Sequence, residues 1–261
     1  MPAGDDYADA PHLRAFHMSA APQASSTSQG PNLQRVHETS CGLLREIGSA
    51  ELLADHATSF FLRVLEIRPG DRVAEPGCGT GVLSVYAALA GAAAVTGTDI
   101  LPEALAFARE NARLNGQAQV TFVEGHLLDP VPGPLDCVAA LLPHKPAPRA
   151  FHTRFYGGAD GTDLLLAVIA QARDKLVRGG RLALYANSIA HPKRVTREFS
   201  RGFSVRLLGE KKRYFTAEEF DGLTPGLFKY LENQLRKGEA EFSRDEKGWY
   251  FWARIFEGTR E

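Results

Sequence analysis

The chain has 261 residues, 44% of them hydrophobic and 23% charged, with a formal net charge of −1. That composition supports one globular α/β domain with additions and gives no global basic signature for nucleic acid, which is therefore not an expected partner. No apolar run approaches a membrane span, so no membrane partner is expected; no basic segment followed by a hydrophobic one marks a secretion signal. The three cysteines, Cys41, Cys78 and Cys137, are widely spaced, without a C-x-x-C pair. This argues against zinc and disulfide frameworks, so no metal site is expected and a reducing, cytoplasmic setting fits.

Residues 1–32 are rich in Ala, Ser, Pro and Gln and lack periodicity. They read as a disordered tail, or as a segment that orders over an active site. Two helices are expected next, over Leu33–Ile47 and Ala50–Leu65, the second capped by Ser49. Residues 33–69 would then be N-terminal helices covering a pocket. Arg68-Pro-Gly-Asp71 is a turn into a short buried strand at Val73–Ala74.

Gly77, Gly79 and Gly81 follow that strand, and Val82–Ala90 reads as a helix. A strand, a glycine turn and a helix N-terminus let a ligand approach the backbone closely. A second strand, Ala92–Thr98, ends on Asp99, where an acid can accept hydrogen bonds from a ribose diol. An acid, Glu75, also stands two residues before the glycines. The spacing is G-x-G-x-G, not the G-x-G-x-x-G of a nicotinamide or flavin domain, and an acid beside the turn would repel a pyrophosphate. A glycine cluster without a ligand is the remaining alternative.

A helix over Leu101–Leu114, stopped by Asn115-Gly116, leads to a strand at Gln119–Val123. Leu135–Leu141 is a nearly all-apolar strand, as expected when both faces are covered. Asp163 is expected to cap a helix running to Val177, ended by Gly179-Gly180, before a strand at Arg181–Ala186. Phe203–Leu208 and Trp249–Phe256 read as an antiparallel pair completing the sheet. Between them, at about 216–247, lies an insertion of helical character. The expected fold is α/β: a Rossmann-like, doubly wound, mostly parallel seven-stranded sheet with an antiparallel last strand, over residues 70–261.

Glu75-Pro-Gly-Cys-Gly-Thr-Gly81 resembles the first motif of class I S-adenosylmethionine-dependent methyltransferases, and Asp99 resembles their ribose-binding acid. The resemblance implies S-adenosyl-L-methionine as cofactor, held by Glu75, Gly77, Cys78, Gly79, Gly81, Asp99 and Ile100, with His126 and Leu127 near the adenine. Within that class, Gly157-Gly-Ala-Asp-Gly-Thr-Asp163 resembles a stretch of the protein-glutamine methyltransferases that modify peptide release factors, and Leu101–Gly116 is similar to those enzymes and to ribosomal-protein and small-domain relatives. The likeness covers about Gly70 to Ser188. It fails at one place. Those enzymes carry Asn-Pro-Pro-Tyr after the fourth strand, where this chain has Leu141-Leu142-Pro143-His144.

The loop after that strand is the expected acceptor site, because open α/β sheets bind ligands beyond the carboxyl ends of their strands. Leu142, Pro143, His144, Lys145, Arg149 and His152 are its candidate substrate contacts, with Arg154 adding to a locally basic character. His144 and Tyr156 are the candidate catalytic residues. A histidine there suits removal of a proton from a hydroxyl acceptor; packing on substrate is its duller reading. The lost asparagine favours a small molecule methylated on oxygen or nitrogen. A protein methyltransferase of the glutamine-N5 type is the alternative, and a non-catalytic donor-binding module the second. Phe228, Tyr230 and Leu231 in the insertion suggest a lid, a homodimer contact or core packing.

Overall fold

The computed structural model describes residues 32–261. The tail expected over 1–32 lies, apart from Asn32, outside the described residues. The segment after it is not helical. It forms an antiparallel hairpin, β1 (Leu33–Thr39) and β2 (Gly42–Gly48), with Thr39 opposite Gly42 and Gly42 at φ +104°. Burial along β2 falls on Leu44, Glu46 and Gly48, a period of two, while Leu43 is 68% exposed. An acid fills the middle inward position, so the apolar residues alone mimic a helix face.

The second expected helix shrinks to α1 (His56–Leu62). Its cap is Asp55, whose carboxylate accepts the amides of Ala57 and Thr58, and not Ser49, whose carbonyl instead closes a turn with Leu52 and Leu53. The N-terminal cover is therefore a hairpin and one short helix.

The central sheet then follows in β3 (Arg72–Pro76), α2 (Val82–Leu89), β4 (Ala94–Asp99), α3 (Pro102–Leu114), β5 (Thr121–Glu124), β6 (Leu135–Ala140), α4 (Asp163–Lys175), β7 (Leu176–Asn187), α5 (Pro192–Phe199) and β8 (Phe203–Phe215). The insertion supplies α6 (Ala217–Leu223), α7 (Leu227–Arg236) and β9 (Phe242–Asp245), and β10 (Gly248–Arg260) ends the chain. Strand order is β5-β4-β3-β6-β7-β10-β8. The pairs from β5 to β7 are parallel, and β10 runs antiparallel to both β7 and β8. The seven expected strands are present, and β9 adds an eighth by pairing with the start of β10. Strand β7 begins earlier than expected, at Leu176, with an irregularity that carries Gly179 and Gly180. The residue before α4 is Thr162, so Asp163 is the first helical residue and not the cap.

Strand parity sorts the core into two layers. Val73, Cys137, Ala139, Ala183 and Tyr185 face α1, α2 and α3. Ala74, Val138, Ala140, Leu182, Leu184 and Ala186 face α4 and α5. A third cluster, built around Phe215, Phe220, Leu231, Phe242 and Phe251, belongs to the insertion. Order reverses between β3 and β6, which opens a crevice at their carboxyl ends.

Candidate functional site

The glycine turn leaves β3 with Gly77, Gly79 and Gly81 all at positive φ. A Cβ on Gly77 would meet Leu142 Cδ2 at 2.7 Å, and one on Gly81 would meet Ala108 at 2.9 Å and Phe122 at 3.0 Å. At Gly79 it would meet nothing within 4 Å. The outer two glycines thus permit close packing, and the middle one leaves an open cradle. Asp99 ends β4 with Oδ2 accepting the Gly79 amide at 2.8 Å and Oδ1 accepting the Leu101 amide at 3.0 Å. Each oxygen keeps a lone pair for a further donor.

Glu75 is buried beneath the start of α2, where Oε2 accepts the Ser84 amide at 2.7 Å and the Ser84 hydroxyl at 2.5 Å. Burial pushes its carboxyl up to about 8, against the pull of the Ser84 bonds. Cys78 is buried and its thiol is driven well above its usual value by the same cause, as suits a filler and not a nucleophile. Residues 125–127 are stitched to the end of β4: Gly125 donates to Asp99 O at 3.0 Å, and Thr98 Oγ1 donates to Leu127 O at 2.5 Å. Leu127 is buried at φ +47° and His126 is exposed, its Nδ1 3.7 Å from Asp129. Ile100 is 54% exposed at the mouth of β4. The predicted donor residues therefore converge on one end of the sheet.

Glu46 is a buried acid beside the glycine turn that pattern reading missed. It is fully buried in the hairpin, accepting Thr80 Oγ1 at 2.6 Å, the Ala54 amide at 2.7 Å and His37 Nε2 at 2.8 Å. Asn111 and Asn115 at the end of α3 hold the other edge of β2. Each bonds one strand residue through both its N–H and its C=O, Ile47 and Arg45 respectively. The hairpin is thus fastened to the glycine turn.

In the loop after β6, where the acceptor site is expected, Leu141 is half-buried and Leu142 buried against Gly77. His144 is buried with both nitrogens engaged. Nδ1 donates to Leu142 O at 2.6 Å, and Nε2 accepts the Asn187 amide at 3.1 Å. That pattern requires the neutral Nδ1–H tautomer, and burial lowers its pKa to about 4. The expected base role loses its lone pair to Asn187. The glycine–aspartate stretch explains how the loop is held. A Cβ on Gly157 or Gly161 would strike the His144 backbone, and Asp163 donates its amide to Gly157 O at 2.9 Å.

Four further side chains gather around this loop. Tyr185 packs at 5.6 Å from the His144 ring, and its phenol is pushed up by burial. Asn187, two positions on and therefore on the same sheet face, has its Oδ1 buried without a partner. The ammonium of Lys145 lies 4.7 Å from the centre of the Phe155 ring, and burial lowers its pKa to about 8. Arg154 donates to Leu53 O at 2.7 Å. Of the remaining predictions, Tyr156 is drawn into the insertion's core, edge-on to Phe151 at 5.8 Å, by a backbone bridge to Lys145. Arg149 and His152 are exposed, and His152 Nδ1 accepts the Arg154 amide at 3.2 Å. Leu231 is fully buried, Phe228 packs in the same cluster, and Tyr230 bonds Ala159 O at 2.9 Å. A cavity of about 970 Å³ lies away from these groups, between the hairpin turn, the end of α1 and Tyr86.

The sheet order, the open glycine cradle and the acid ending β4 reproduce the fold and the donor-site arrangement expected of class I S-adenosylmethionine-dependent methyltransferases. The chain belongs to the methyltransferase small domain family, whose sequence model matches residues 49–216. It is 40% identical over 124 residues to the release factor glutamine methyltransferase of Deinococcus radiodurans, covering 43% of this chain and 44% of that protein. It is 31% identical over 147 residues to a putative protein N5-glutamine methyltransferase of Methanocaldococcus jannaschii, covering 54% of this chain and 74% of that one. The chain therefore spans less than half the length of the first relative. Among solved structures it resembles the Thermus thermophilus 16S rRNA N2 G1207 methyltransferase in complex with AdoMet and guanosine. That likeness has a TM-score of 0.57 and 15% identity, over 88% of this chain and 52% of that one, and it shows the shared fold. Among the described residues no helix is long and apolar enough to cross a membrane.

Proposed function

We propose that this chain transfers a methyl group from S-adenosylmethionine to a nitrogen atom presented by a polypeptide. The observation that carries the reading is Asn187 Oδ1, a buried carbonyl oxygen without a donor beside the acceptor loop. Such an orphan costs about 1–3 kcal/mol. An N–H on the acceptor would satisfy it, whereas Leu141, which stands where the resembled enzymes carry asparagine, offers no hydrogen-bonding side chain. The engaged His144 points the same way. A hydroxyl acceptor needs a base, whereas an amine attacks through its own lone pair.

Gly79, Asp99 and the residues around Leu127 are suited to hold the donor, and Glu75 to face its cationic methionine end. When bound, the donor supplies an electrophilic methyl group on a sulfonium. Leu142 and Pro143 shape the acceptor's path, and the His144 bonds fix that loop. Placement of the acceptor is what such a site contributes to an in-line displacement. The two relatives named above are protein-glutamine methyltransferases by name, which favours a polypeptide over the small molecule expected from the lost tetrapeptide.

The test is to incubate the protein with methyl-labelled donor and a bacterial lysate, then fractionate. Acid-stable label on nitrogen in protein supports the reading. Label confined to small metabolites, or released from protein by mild base as an ester would be, overturns it.

A further inference from the structure

Lys145 is oddly placed for a lysine. Its ammonium lies over the faces of Phe155, at 4.7 Å, and Phe220, at 5.9 Å. Among the described residues it makes no ion pair. Its side chain is half-buried, and a cation partly withdrawn from water is normally matched by a carboxylate, because desolvation without a partner is costly. The charges around it are already committed. Arg213 is paired with Glu219. Asp55 caps α1 through the Ala57 and Thr58 amides. Arg154 spends its guanidinium on Leu53 O and adds positive charge.

These residues come from four parts of the chain and meet on one face of the sheet. Tyr185 and Asn187 on β7 look out on the same side as Ala253 of β10, which pairs with Asn187 and with Lys211 of β8. Arg213 lies two residues further along β8. Lys145 follows His144 directly, and the His144 ring is fixed to the Asn187 amide. Lys145, Arg154 and Arg213 thus bring an excess of positive charge to this face, around the loop whose His144 ring is bonded to Asn187, the residue with the orphaned acceptor oxygen.

We propose that the methyl acceptor carries an anionic group, a carboxylate or a phosphate, and that Lys145 is the residue that reads it. The inference rests on the acceptor lying over the Leu141–Lys145 loop, as argued above. An anion there would complete the missing ion pair, while Asn187 Oδ1 takes an N–H from the same molecule. In a polypeptide, that combination is a nitrogen acceptor flanked by an acidic or phosphorylated residue, or by the chain's carboxyl terminus. Cation–aromatic contacts hold the ammonium in place without neutralising it, which leaves its charge available.

Two measurements test this. In the first, the intact protein carrying ¹³C at lysine Cε is titrated by NMR, with Lys145→Met identifying the resonance. In chloride the midpoint is expected near 8. Replacing chloride by acetate, or by inorganic phosphate, at matched ionic strength should raise it by about one unit, with exposed Lys237 unmoved. Whichever anion raises it further names the group. No rise with either anion overturns the inference.

In the second, Lys145→Met and Lys145→Arg are compared with the wild type for label transfer into lysate protein. A loss of about tenfold in Lys145→Met, with donor affinity unchanged and part of the activity recovered in Lys145→Arg, is expected. Undiminished transfer by Lys145→Met overturns the inference and leaves the nitrogen-acceptor reading standing. Absence of transfer by the wild type overturns that reading, and the anion titration still decides the role of Lys145.

Discussion

Thr80 donates its hydroxyl to Glu46 at 2.6 Å, so a carboxylate from the N-terminal hairpin holds the middle of the glycine turn. The same carboxylate takes the Ala54 amide, one residue before the Asp55 that caps α1. One buried acid therefore ties the glycine turn to the residue preceding the α1 cap. Glu46→Ala would orphan three donors at once, at about 1–3 kcal/mol each. The expected outcome is a loss of at least about 3 kcal/mol in denaturant unfolding. Thr80→Val removes a single link and should cost about 1 kcal/mol while weakening donor binding in calorimetry. Equal stability of Glu46→Ala and wild type would show that the hairpin is not fastened in this way.

Asp99 carries two tasks, ordering the Gly79 and Leu101 amides and offering lone pairs at the open cradle. Asp99→Ala should weaken S-adenosylmethionine affinity by about 10- to 100-fold, which is about 1.4–2.8 kcal/mol. Isothermal calorimetry reads this directly, and an unchanged Kd would remove Asp99 from the donor site.

The parts of this fold that the sequence announces are those where one pattern has one physical meaning. The Gly77–Gly81 turn, Asp99 and the apolar β6 strand are of that kind, because positive φ and two-sided burial leave few residue choices. The hairpin was illegible because its inward positions include Glu46, and Leu43 and Ile47 give a false helical spacing. Asn111 and Asn115 read as ordinary helix residues, and only the fold shows them completing a strand edge. His144 was visible as a loop histidine at the right place. Its loss of a free lone pair depends on Asn187, more than forty residues away, and no local pattern encodes that bond. A signal was available for Asn187 itself, a lone amide ending an apolar strand at the ligand-binding edge.

Glu75 offers a test through protons. Its carboxyl is raised from 4.5 to about 8 by burial. An acid whose folded pKa is raised stabilises the fold fully below its unfolded value and loses that contribution as pH climbs toward the folded one. The donor-free protein should therefore lose thermal stability between about pH 5 and pH 8, and Glu75→Gln should flatten that slope. A cationic donor lowers the pKa of a neighbouring acid. Binding near neutral pH should then release up to about one proton. Calorimetry in two buffers of different ionisation enthalpy measures it; identical heats in both would exclude the coupling.

His144 gives the opposite sign. Its pKa falls from 6.5 to about 4 because burial disfavours the imidazolium. A base with a depressed folded pKa contributes stability above its unfolded value, and that contribution is lost as pH drops from 6.5 toward 4. Methyl transfer should accordingly show no limb from His144 between about pH 5 and pH 8, since the ring stays neutral throughout that range. Nitrogen NMR should find Nδ1 protonated and Nε2 bare, as the Leu142 and Asn187 bonds require. His144→Ala orphans the Asn187 amide and the Leu142 carbonyl. It should cost about 1–3 kcal/mol, or a fall in Tm of about 2–4 °C for each kcal/mol, with turnover reduced through loss of loop position. A turnover profile that instead rises with a midpoint near 6.5, and loses that midpoint in His144→Ala, would restore the histidine as a base.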